Sequence, residues 1–165
     1  MCRNASRCTW SRYLHVLLTL LFLVHTHLLV AQAHRTTSRF AAEDAIRESV
    51  IRYQMKDFTS DIFFVDINGK DPSDDFMKRL SDMPGIVRKA SASAFNKENM
   101  LVVDKETGKQ GTIFKAGSIR WLSRDAVTVD GGYYCGGLCA AGIVFRLRRK
   151  HGKWVVTGSK MIWIS

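Results

Sequence analysis

The chain has 165 residues, 25 Lys and Arg against 15 Asp and Glu, and 46% hydrophobic residues. That length suits one domain and leaves no room for a two-domain enzyme. The hydrophobic content excludes a disordered chain, and it is not distributed as in a polytopic membrane protein.

Residues 1–33 read as a secretory signal. Arg3, Arg7 and Arg12 form a basic start, residues 13–30 an apolar run, and Ala31 and Ala33 flank Gln32 in the small-residue pattern of a cleavage site. The rival reading is an uncleaved anchor helix, because the run approaches the ~20 residues that span a bilayer. Export implies a secreted or periplasmic protein; the rival implies one held at the membrane. Cleavage would leave residues 34–165 with a net charge of +7, and only His34 and His151 of the five histidines. Residues 34–40 then read as a flexible basic tail and residues 41–165 as a single domain.

In residues 41–56, Ile46, Val50 and Tyr53 recur at helical spacing, with Glu43 and Asp44 in the first turn. Residues 62–67 (IFFVDI) read as a strand ended by Asn68-Gly69. Asp71 is the expected cap of a second helix, with Pro72 at its first position; Phe76, Leu80 and Met83 would line it, and Pro84-Gly85 would end it. Strand-like runs follow at 86–95, 100–103, 112–122, 126–135, 141–149 and 154–164, separated by turn-forming residues. Two helices followed by a meander predict an α+β domain. Its sheet is expected to be curved and antiparallel, with about five to six strands packed on the N-terminal helices.

This order, with the closing run Gly152-Lys153-Trp154-Val155-Val156, resembles the nuclear-transport-factor-2-like and cystatin-like group. Residues 41–165 also resemble small exported bacterial proteins with a similar ending. The first resemblance implies a cone of sheet around the first helix, with a mouth that holds a ligand or an Asp, Tyr or His pair. A cystatin-like inhibitor would instead present its hairpin tips, here Gly136-Gly137, as a wedge.

Cys135 and Cys139 flank three residues and can face each other across a hairpin, which in an exported protein favours a disulfide. Closing so short a loop contributes only about 2 kcal/mol on the chain-entropy model. A redox pair would want C-x-x-C at a helix start, and two thiols are too few for a metal site. The Asp66-x-Asn68-Gly69-x-Asp71 string lacks the glycine and glutamate positions of a calcium loop and reads as a turn. No G-x-S-x-G, S-x-x-K, H-E-x-x-H or phosphate-loop pattern occurs, so no cofactor or metal is expected and no enzyme class announces itself.

Two surfaces remain. A concave sheet face would use Tyr53, Trp121 and Tyr134 for a small molecule or an envelope component. The basic hairpin Arg146, Arg148, Arg149, Lys150 and Lys153 would meet an anionic polymer or a membrane surface, or else serve as a solvated edge that blocks strand pairing. No nucleic acid is expected, since no aromatic ladder alternates with these charges. The leading expectation is therefore a non-catalytic binding module whose ligand and oligomeric state the sequence leaves open. The alternative is a small cofactor-independent enzyme pairing Asp130 with Tyr53 in a cone.

Overall fold

The computed structural model describes residues 39–56 and 58–165. The expected signal with its Ala31 and Ala33 cleavage site, and residues 34–38 of the expected tail, lie outside the described residues. The chain divides into two units, Met1–Ala41 and Ala42–Ser165, and the second carries the architecture that follows. No helix of the described residues is long and apolar enough to cross a membrane.

Helix α1 occupies residues 39–55, so it is already formed two residues before the expected Ala41. Ile46, Val50, Ile51 and Met55 are fully buried, and Gln54 turns inward with them. A hydrogen bond accounts for half of the buried amide: Gln54 Nε2 donates to the Lys115 carbonyl at 3.1 Å, while Oε1 is buried without a partner. Tyr53 is consequently left at the border of the buried face, its ring edge-on to Phe145 at 5.9 Å.

The remaining elements are β1 (Ile62–Ile67), α2 (Asp74–Arg79), β2 (Ile86–Lys89), β3 (Ser93–Asn96), β4 (Leu101–Asp104), β5 (Thr112–Ser123), β6 (Ala126–Gly136), β7 (Cys139–Lys150) and β8 (Lys153–Ile164). The fold is α+β, as expected, but its sheet has eight strands rather than five to six. It is also mixed rather than antiparallel. The order runs β2-β1-β5-β6-β7-β8, with β1 parallel to both β2 and β5 and the meander β5–β8 antiparallel throughout. The β3–β4 hairpin joins this sheet at one register position, Leu101 opposite Gly136.

One of the extra strands arises because the run 86–95 breaks into two. Ala90–Ala92 form a single 3-10 turn, which the Asp71 carboxylate fixes by accepting the Ser91 N–H at 2.9 Å. Asp71 is thus not the expected helix cap. Ser73 takes that role, its hydroxyl accepting the Phe76 N–H at 3.2 Å. The string from Asp66 forms a tight turn, as its sequence predicts. The Asp66 carboxylate accepts the Gly69 N–H at 2.6 Å, and Ile67 and Lys70 exchange backbone bonds.

One face of the sheet and α1 enclose the main core, built from Val65, Phe114, Val127, Val129, Phe145, Leu147 and Trp154 against Ile46, Val50 and Met55. Burying each large side chain stabilises the fold by about 1.5–3 kcal/mol. Arg47 Nε bonds the Gly117 carbonyl of β5, and Ser49 Oγ bonds the Trp154 carbonyl of β8 at 2.9 Å. The helix is therefore fastened to both sides of the meander. On the opposite face, the β3–β4 hairpin covers only a small cluster of Ile62, Phe64 and Val102 with Tyr134 beside it.

Gly132 is what lets β7 approach β6 at the centre of the meander. Its φ is 144°, and a Cβ there would run into the Ala141 carbonyl. Gly132→Ala should cost more than about 2 kcal/mol of stability in a urea titration. Gly158→Ala, with open space around it, should stay within about 0.5 kcal/mol of wild type.

Candidate functional site

Alternation assigns every strand residue to a face. On β6, Val127, Val129 and Tyr133 point to the α1 side, so Thr128, Asp130, Gly132 and Tyr134 point away. On β7, Ile143, Phe145 and Leu147 face α1, while Val144, Arg146 and Arg148 face outward. The α1-covered face is filled except along the end of β8, where Met161 and Ile164, opposite Ile143 and Ala141, are 51% and 65% exposed. The outward face is covered at the β1 end by the β3–β4 hairpin and bare across the rest of β5–β8.

The four pocket candidates do not converge. Tyr53 and Trp121 belong to the α1 side, where Trp121 packs edge-on to Trp154 at 5.6 Å. Asp130 and Tyr134 lie on the other side, with Tyr134 in the small cluster 6.2 Å from the Phe95 ring. Tyr53 and Asp130 are thus on opposite faces, and Asp130 is exposed. Asp130 does line a shallow depression of about 280 Å³ with Asp66, Asn68 and Lys115. A second, of about 380 Å³, lies beside Cys135 and Cys139 and includes Phe58, Asp61 and Gln110. Neither gathers a carboxylate, a tyrosine and a histidine.

Cys135 and Cys139 are at disulfide distance, with Cα atoms 5.2 Å apart. Gly136 pairs with Cys139 and Tyr134 with Ala140, so Cys135 is the extra residue of a bulge at the hairpin end.

Lys153 and Lys160 lie on β8, an edge strand that pairs only with β7, but the two central arginines do not guard an edge. Arg146 and Arg148 sit on β7, which is hydrogen-bonded to β6 on one side and β8 on the other. An interior strand has no free edge to protect. Arg146 lies across from Thr128, and Thr128 from Arg120, whose Nε donates to the Thr128 hydroxyl at 3.3 Å. Arg148 follows one step along, and Lys150 and Lys153 pair at the hairpin tip. Arg149 points to the other side and bonds the Gly152 carbonyl at 3.4 Å. Lys115 and Lys160 complete the outward set. Arg120 is the member that strand alternation within the hairpin cannot supply; the register of β5 on β6 brings it in.

Charge is segregated along the chain. From Thr112 to Ser165 there are nine Lys and Arg but only two acidic residues, Asp125 and Asp130, a net charge of +7. Among the described residues none of those nine enters an ion pair, whereas Arg47, Arg52, Lys78, Arg79, Arg88 and Lys89 all do. The cations near α1 and α2 are therefore neutralised within the fold, and those of β5–β8 are not.

One carboxylate escapes the sequence reading because it falls in an apparent turn. Asp104 is buried at the end of β4. Its Oδ2 accepts the Thr107 hydroxyl at 2.7 Å and the Thr107 N–H at 3.1 Å, and its Oδ1 lies 3.3 Å from Arg88. The Thr107 hydroxyl bond, joined by the Thr107 N–H and Arg88, holds this carboxyl below the usual aspartate range. It ties β2 to the β3–β4 hairpin, a structural role.

Comparison of the chain with protein-family models, with curated proteins and with solved structures finds no match in any of the three.

A carboxyl with a lowered folded-state pKa stabilises the fold above its unfolded pKa, and that contribution is lost as pH falls through the folded value. Asp71, Asp74 and Asp82 are shifted the same way, by Ser91, Lys89 and Arg52 respectively. The urea midpoint should therefore hold between about pH 6 and pH 5 and decline below about pH 4. Thr107→Val should lower the midpoint above about pH 5 and make that decline shallower, because the folded-state pKa of Asp104 then moves toward its unfolded value. An unchanged acid limb in this variant would remove Asp104 from the account.

Proposed function

We propose that this is an exported, non-catalytic binding module that meets a polyanionic partner through the outward face of β5–β8. One observation carries the reading: the positive excess of the described chain lies in residues 112–165 as exposed cations without ion pairs, and Lys115, Arg120, Arg146, Arg148, Lys150, Lys153 and Lys160 among them face outward. Arg120 on β5 and Arg146 on β7 flank Thr128 of the intervening β6, two strand spacings or roughly 10 Å apart, and Arg148 follows two residues along β7. Asp130, on the same face, forms no ion pair with them among the described residues. Like charges gathered on one face repel and do not help the fold. An anionic partner would relieve that repulsion and release its own counterions. The concave-face alternative loses its argument because α1 fills the face on which Tyr53 and Trp121 lie. The enzyme alternative loses Asp130 and Tyr53 as a pair because the sheet separates them.

Export belongs to the same proposal. It rests on the residues that favour cleavage after Ala33, and on Cys135 and Cys139, whose disulfide would persist in an oxidising compartment. The relationship to the nuclear-transport-factor-2-like and cystatin-like group is likewise proposed. What supports it is a long helix bonded to both β5 and β8 of an antiparallel meander, the arrangement that a sheet curved around α1 would give.

Immobilised dextran sulfate at about 0.15 M salt tests the binding reading. The protein should be retained, and Arg120→Thr/Arg146→Thr/Arg148→Thr should bind at least tenfold more weakly, with a salt slope shallower by up to about 3. Lys78→Ala, which removes a cation paired with Asp75 on α2, should bind like wild type. The triple variant should also match or exceed the wild-type thermal midpoint at low salt, since it removes repulsion. Equal retention of wild type and triple variant would overturn the reading. Export is tested by the denatured mass of protein recovered from the native host's envelope or medium. It should correspond to His34–Ser165 less two hydrogens, and the full-length mass would overturn cleavage.

A further inference from the structure

Resting on that reading, we infer that the polyanion is an anionic lipid bilayer and that the outward face of β5–β8 seats the domain on it, with Trp163 in the interfacial layer. The cations are not alone on this face. Val155 and Trp163 project on the same side and are 41% and 55% exposed. Val155 stands directly opposite Arg148. Trp163 lies at the other end of the face, opposite Gly142.

Trp163 is held in place. Its indole lies against the Gly142 backbone, in the space that any Cβ there would occupy. The strand behind it is tied down to its last residue, Ser165, whose N–H donates to the Ala140 carbonyl at 3.0 Å. A large aromatic with a polar N–H, fixed yet exposed, would pay little ordering entropy on entering a headgroup layer.

This combination selects a bilayer over a soluble polymer. A hydrated polyanion satisfies the cations but offers nothing to the two exposed apolar side chains set among them. A bilayer surface offers both, phosphates for Arg120, Arg146 and Arg148 and the acyl boundary for Trp163 and Val155. Most of the face is also bare and spanned by adjacent strands, as contact with a planar surface requires. A second copy is disfavoured as the occupant because it would bring two like-charged faces together.

The test uses vesicles of phosphatidylcholine alone and vesicles with added phosphatidylglycerol, read by co-sedimentation and tryptophan emission. The protein should bind only the anionic vesicles, with a blue shift and with quenching by acyl-chain-brominated phosphatidylcholine included in them. Arg120→Thr/Arg146→Thr/Arg148→Thr should weaken this binding on the order of 100-fold. Trp163→Ser should abolish the blue shift and the quenching while leaving dextran sulfate binding at the wild-type level. Near-ultraviolet circular dichroism verifies that both variants are folded. Retention on dextran sulfate without binding to anionic vesicles would overturn the bilayer inference and leave the polyanion reading standing. Vesicle binding with Trp163 emission unchanged would overturn the proposed seating, and so would equal binding to neutral vesicles. Failure on both dextran sulfate and vesicles would overturn the inference and the reading together.

Discussion

Contact between α1 and one face of the β5–β8 meander governs the rest of the molecule. Once Ile46, Val50 and Met55 occupy that face, every strand must turn its large apolar residues toward them and its charged residues away. A one-residue slip of β7 would bury Arg146 and Arg148 and expose Phe145 and Leu147. Register and function are therefore linked, because the packing that specifies the core also gathers the cations. Three polar bonds from the helix reinforce the arrangement. Gln54, Arg47 and Ser49 each bond a sheet carbonyl, which anchors α1 to β5 and to β8 rather than to hydrophobic contact alone.

Much of this was legible in the sequence because the long strands alternate cleanly. Ile143, Phe145 and Leu147 against Val144, Arg146 and Arg148 declare a half-buried strand without help from its neighbours. The parallel placing of β1 was not legible, since strand direction leaves no trace in a six-residue run. A signal existed all the same: Ile62 to Val65 are buried consecutively rather than alternately, the pattern of a strand covered on both faces. The division of 86–95 also escaped detection. Its cause, Asp71 bonding the Ser91 N–H, joins residues twenty apart.

The candidate site shows the same division. That Arg146 and Arg148 share a face follows from alternation. That Arg120 joins them depends on how β5 registers on β6, through an irregularity between Ala116 and Ile119 that no local pattern announces. Tyr53 looked like a pocket residue because it fits the helical spacing of Ile46 and Val50. It sits at the border because Gln54, a polar residue that spacing alone would place outside, turns into the core and donates from Nε2 to the Lys115 carbonyl.

The separation of charge has a consequence beyond contact. Paired ions around α1 and α2 leave that part of the fold nearly neutral, while β5–β8 carries a net charge of +7. The molecule therefore has a permanent electric dipole running from its helical side to its bare sheet face. Near a negatively charged surface such a dipole experiences a torque as well as an attraction, beginning roughly one screening length away, about 8 Å at physiological ionic strength. The domain would arrive already turned, with the arginines leading, so that orientation precedes docking.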